Sequence, residues 1–126
     1  MSTASVSTNG DLPGDPRASA LEVQDSICCE RHILVLRGEL DLSNASVLEG
    51  AIQRLCGNGA QRLLLDLDLA FMDSSGLRVV LAGRDLCQQS DCEFAVRLSS
   101  PIVRRLFEVA GVLNRLPVEP QEQTNP

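Results

Sequence analysis

The sequence predicts a single α/β domain in which right-handed helical crossovers join parallel strands. Three observations carry that expectation. Strand-like apolar runs alternate with helix-patterned segments from Leu21 to Val118. The 126 residues, 44% of them hydrophobic, fill one core but not two. Cap and stop residues punctuate the segments: Gly38, Gly57, Ser100-Pro101 and Gly111.

The elements follow in order. Residues 1–20, rich in Ser, Thr, Gly, Pro and Asp, cannot bury enough apolar surface to offset ordering and predict a disordered arm. The folded unit spans residues 21–118. Leu21 to Ile27 predicts an edge strand in hairpin pairing with His32 to Arg37, which Gly38 ends. Ser43 is placed to cap a helix whose Leu48, Ala51, Ile52 and Leu55 share a face, with Gly57 as its stop. Arg62 to Leu67 reads as a strand covered on both faces. Leu77 to Cys87 reads as a well-buried helix with two apolar faces, and Glu93 to Leu98 alternates as a strand. Ser100 caps a third helix with Pro101 at its first position, facing inward through Ile102 or Val103, Leu106, Phe107 and Ala110 and closing at Gly111. Val112 to Val118 supplies a last strand before a polar tail, residues 119–126.

Composition narrows the function. A net charge of −6, from 11 basic and 17 acidic residues, gives no footprint for direct nucleic-acid binding. Every basic residue is Arg, so Schiff-base chemistry and Lys-based phosphate loops are excluded. With no Trp, no Tyr and three Phe, stacking platforms are poorly supplied. No export signal or long apolar run is visible, so the expectation is a cytoplasmic protein with no membrane insertion. Five cysteines, an odd count without paired C-x-x-C spacing, predict reduced thiols and no metal site. Cys56 reads as a core residue, whereas Cys87 and Cys92 flank a Gln-Gln-Ser turn and are placed as exposed.

Catalysis finds little support. The single histidine, His32, precedes an apolar strand far along the chain from any candidate serine and reads as a half-buried strand-edge residue. Asp66 and Asp68 read as solvated loop carboxylates rather than an acid-base pair. The expectation is no enzyme and no cofactor. Asp73-Ser74-Ser75-Gly76 stands apart, because it joins a strand end to a helix start, where backbone N–H groups converge. A helix cap by Asp73 or Ser74 explains it without function; a phosphorylatable serine there explains it as a switch.

Three quoted stretches resemble one family: Gly38-Glu39-Leu40-Asp41, then Phe71-Met72-Asp73-Ser74-Ser75-Gly76-Leu77, then Ser99-Ser100-Pro101 with Val103, Arg105-Leu106-Phe107 and Gly111. The chain is similar in these to the anti-sigma factor antagonists, small stand-alone STAS domains of bacteria, from about Leu21 to Val118. The resemblance implies a mixed β-sheet flanked by α-helices and a partner-switching role in transcription regulation. In such a switch the unphosphorylated antagonist binds an anti-sigma factor that is also a serine kinase, freeing a sigma factor; phosphorylation releases it, and a metal-dependent serine phosphatase resets it. By motif position the phosphorylation site is Ser74, and the partner-binding residues are Asp41, Asp73, Ser75 and Gly76. The alternative is a STAS scaffold, a regulatory subunit of a membrane transport complex.

Overall fold

The computed structural model describes residues 4–7 and 20–120. Among these the strands are β1 (Ala4–Ser7), β2 (Leu21–Cys28), β3 (Arg31–Leu40), β4 (Arg62–Met72), β5 (Glu93–Arg97) and β6 (Val118–Glu119). The helices are α1 (Ala45–Gly57), α2 (Ser74–Gln89) and α3 (Pro101–Ala110), and a 3-10 turn spans Leu113–Arg115. The six strands form one sheet in chain order. Strands β1, β2 and β3 pair antiparallel, while β3 to β6 pair parallel through the crossovers α1, α2 and α3. The sheet is therefore mixed, as expected.

Register decides which side chains become core. Leu34 pairs with Leu65, Leu36 with Leu67, Leu63 with Phe94 and Leu65 with Val96, so one face of the sheet is continuously apolar and buried. Leu48 and Ile52 of α1, Val80 of α2, and Val103 and Phe107 of α3 belong to the same cluster, each at most 1% exposed. Burying a side chain of that size stabilises the fold by about 1.5–3 kcal/mol. On the other face Leu64 is buried between Ile33 and Ala95, and ion pairs surround it: Arg37 with Asp68, and Arg97 with both Asp66 and Glu119.

The hairpin between β2 and β3 turns on Cys29 and Glu30, both with positive φ (55° and 64°), the handedness that matches strand twist in a two-residue turn. Strand β3 does not end at Gly38. It bulges there and runs on to Leu40, because Gly38 takes φ 98° and lets the Ala20 carbonyl approach. Glu39 N–H donates to that carbonyl at 2.8 Å. Strand β4 likewise runs five residues past Leu67, to Met72.

Other local expectations change. The N-cap of α1 is Asn44, not Ser43, whose N–H and hydroxyl both donate to Asp41. Asp66 and Asp68 lie within β4 rather than in a loop, held by pairing to β3 and β5. Ile102 and Ala110 are exposed, so α3 faces inward through Val103 and Phe107. The last strand shrinks to Val118–Glu119, because Leu113–Arg115 forms the 3-10 turn. Within the arm, Ala4–Ser7 pairs with the free edge of β2; the rest of the arm and residues 121–126 of the tail lie outside the described residues.

Candidate functional site

Strands β3, β4 and β5 are parallel, so the segments leaving their C-terminal ends gather at one edge of the domain. Each end is followed by a helix start. Asp73, between β4 and α2, is the N-cap: extended at φ −111° and ψ −172°, it accepts from the backbone N–H of Ser75 at 2.8 Å and of Gly76 at 3.3 Å. Its own N–H donates to the Leu40 carbonyl at 3.2 Å, tying the helix start to the end of β3. Of the two capping candidates, Asp73 is the cap. Ser74 is thereby released from that role and stands exposed as the first residue of the helix.

Asp41 leaves the neighbouring strand. Its carboxylate accepts from the Ser43 N–H at 2.9 Å and the Ser43 hydroxyl at 2.6 Å. Asn44, 4% exposed, locks the same loop from beneath: its Oδ1 accepts from the Asp41 N–H and its Nδ2 donates to the Glu39 carbonyl, both at 3.0 Å. Sequence reasoning missed Asn44, although an Asn one residue before a helix is itself a cap signal.

Asp41, Leu42, Ser43 and Asp73 line one shallow depression of about 340 Å³. The structure thus brings together the expected Asp41 and Asp73, with Ser74 adjoining. Ser75 is half-buried and Gly76 is buried, and both donate their backbone N–H groups to the Asp73 cap. Apolar side chains rim the same edge: Leu42 is 79% exposed, Phe71 46% and Ile102, in the first turn of α3, 56%. Two acidic groups, a hydroxyl and exposed apolar side chains around a helix N-terminus suit protein recognition.

The other candidate groups lie elsewhere. His32 is the second residue of β3, at the opposite end of that strand, with its Nδ1 3.7 Å from Asp25 Oδ1 across the hairpin. Asp66 accepts from the Ser99 hydroxyl at 2.6 Å and pairs with Arg97 at 3.6 Å, and Asp68 pairs with Arg37 at 3.4 Å. Cys87 and Cys92, expected to be exposed, are both buried, because the turn after α2 folds back so that the Cys92 N–H donates to the Cys87 carbonyl at 2.8 Å. Among the described residues no helix is long and apolar enough to cross a membrane.

Comparisons with known proteins agree with this fold. The STAS domain family model matches residues 18–125. An anti-sigma F factor antagonist of Paenibacillus polymyxa is 35% identical over 99 residues, covering 73% of this chain and 82% of that protein. BtrV of Bordetella bronchiseptica, which carries an anti-sigma factor antagonist name, is 36% identical over 87 residues, covering 68% of this chain and 75% of its own. Among solved structures, SpoIIAA in its unphosphorylated form superposes with a TM-score of 0.64 at 25% identity, over 80% of this chain and 89% of that one. With a domain-wide match, relatives above 30% identity and the same mixed sheet, the chain belongs to the STAS domain family.

Proposed function

We propose that this STAS domain is an anti-sigma factor antagonist: unphosphorylated, it binds an anti-sigma factor that is a serine kinase and so frees a sigma factor. Phosphorylation of Ser74 ends the complex. The observation that carries the reading is the exposure of Ser74 at the first position of α2, next in the chain to Asp73, which shares a depression with Asp41, and at the same sheet edge as the exposed Leu42, Phe71 and Ile102. Support also comes from the names of the two curated relatives and from SpoIIAA, whose structures include unphosphorylated and phosphorylated forms.

The mechanism follows from charge. In the kinase step the Ser74 oxygen bonds to the γ-phosphorus of ATP, ADP leaves, and the hydroxyl proton passes to a base of the kinase. The new dianion is tolerated by the free domain, since it sits on a helix N-terminus and faces water. In the complex it is desolvated beside Asp41 and Asp73. A thousandfold loss of affinity requires only about 4 kcal/mol, which an unpaired buried charge readily supplies. A metal-dependent serine phosphatase would restore the hydroxyl by transferring the phosphoryl group to water. The domain itself serves as substrate, and this role requires neither cofactor nor catalytic base of its own.

The test is to incubate the protein with its cognate anti-sigma kinase and ATP and to map the phosphate by mass spectrometry. Phosphate on Ser74, absent in Ser74→Ala, is the expected result; phosphate confined to Ser75 refutes the assignment.

A further inference from the structure

Far from Ser74, at the other end of α2, three thiols meet. Cys56 lies in the last turn of α1, Cys87 in the last turn of α2, and Cys92 immediately before β5. Their Sγ atoms all lie within 4.8 Å of one another, and Cys56 and Cys87 are 3.5 Å apart. Cys87 is fully buried, Cys92 is 5% exposed and Cys56 is half-buried. We propose that Cys56, Cys87 and Cys92 form a three-thiolate binding site for a thiophilic divalent cation of the zinc type.

The spacing suits such an ion. Zinc–sulfur bonds of about 2.3 Å in tetrahedral geometry hold their sulfurs roughly 3.8 Å apart, so small side-chain adjustments close the observed triangle around one ion. The donor set is all sulfur, which selects against magnesium, calcium and manganese, whose preferred donors are oxygens. Helices α1 and α2 both run back from C-terminal strand ends and are therefore parallel, so the two helix C-termini, the negative ends of their dipoles, converge on the cluster. That field favours a cation.

A cavity and a cationic side chain adjoin the cluster. Cys92 lines a cavity of about 320 Å³ with Arg84, Gln88 and Arg115. Three thiolates around one dication make a complex of charge −1, and whatever thiol protons the ion displaces pass to solvent. Arg84, held in place by Asp85 and by the Arg115 carbonyl, each at 2.7 Å, lines the same cavity and offsets that charge.

The test is titration of the full chain with Co²⁺ under a phosphine reductant, followed by displacement with Zn²⁺ and a thermal melt. The expected result is one ion per chain with intense thiolate-to-cobalt absorption, displaced by Zn²⁺, and a melting temperature raised by about 5 °C or more. Cys56→Ser and Cys92→Ser should abolish that absorption, and the double substitution of Cys28 and Cys29 to Ser should leave it intact. Cys56 is half-buried, so Cys56→Ser keeps the test valid if Cys92→Ser fails to fold. Absence of thiolate absorption at one equivalent would overturn the proposal. So would absorption that survives Cys56→Ser and disappears with Cys28 and Cys29.

Discussion

A Cβ on Gly76 would lie 2.9 Å from both Cγ and Cδ2 of Leu40, so the first turn of α2 rests directly on the last residue of β3. That approach sets the distance between the helix carrying Ser74 and the loop carrying Asp41. Leu40 is fully buried and has little room to withdraw. Gly76→Ala is therefore expected to cost about 1–3 kcal/mol, the usual penalty of overpacking, read as a lower urea midpoint with an unchanged slope. The same variant should bind its partner less tightly, because the displaced helix carries Ser74 with it.

Asp73 combines two roles that substitution can separate. Its carboxylate caps α2, and it is an acidic group beside Ser74. Asp73→Ala is expected to lose about 1 kcal/mol of stability in a thermal or urea melt, whereas Asp73→Asn should retain most of it, since an Asn side chain caps equally well. A melt in which Asn is as damaging as Ala would show that charge, not capping, stabilises this turn.

Gly38 is the most demanding backbone position. Its φ of 98° is poorly accessible to other residues, and a Cβ there would lie 2.3 Å from the Ala20 carbonyl oxygen, a backbone atom that cannot rotate away. Gly38→Ala should cost at least about 3 kcal/mol, well beyond Gly76→Ala, and stability measured in urea decides the ranking. Equal losses would mean that the bulge in β3 relaxes freely.

Thiol reactivity should divide the cysteines. Cys28 and Cys29 are exposed at the hairpin turn, while Cys87 and Cys92 are buried, with their thiols pushed up by desolvation. In metal-free buffer at neutral pH, iodoacetamide should label Cys28 and Cys29 within minutes and reach Cys87 and Cys92 only after denaturant is added. Rapid native labelling of Cys87, followed by peptide mapping, would contradict the packing of α1 on α2.

Local chemistry made much of this legible from the sequence. Ser100-Pro101 and Gly111 bracket α3 as expected, because cap, first-turn proline and left-handed stop each act within a few residues. Asp73-Ser74-Ser75-Gly76 stood out for the same reason, and the structure decided between two caps that spacing left equal. The hairpin turn Cys29-Glu30 gave no signal, since neither residue is the Gly or Asn that usually supplies positive φ; the pairing of β2 with β3 imposes it. Gly38 read as a stop because a bulge and a strand end share the same glycine signature. The Cys56, Cys87 and Cys92 cluster depends on how α1 packs against α2, and contacts between residues 31 apart leave no local trace.

The central claim is that one hydroxyl, that of Ser74, decides whether the partner binds. It is tested most directly by measuring the affinity of unphosphorylated and Ser74-phosphorylated protein for the cognate anti-sigma factor with nucleotide present, alongside Ser74→Ala and Ser74→Asp. The expected result is a loss of about a thousandfold or more on phosphorylation, corresponding to about 4 kcal/mol. Ser74→Ala should keep the unphosphorylated affinity, and Ser74→Asp should fall between, since a carboxylate carries less charge and bulk than a phosphate. Equal affinity of the phosphorylated and unphosphorylated forms would contradict the account.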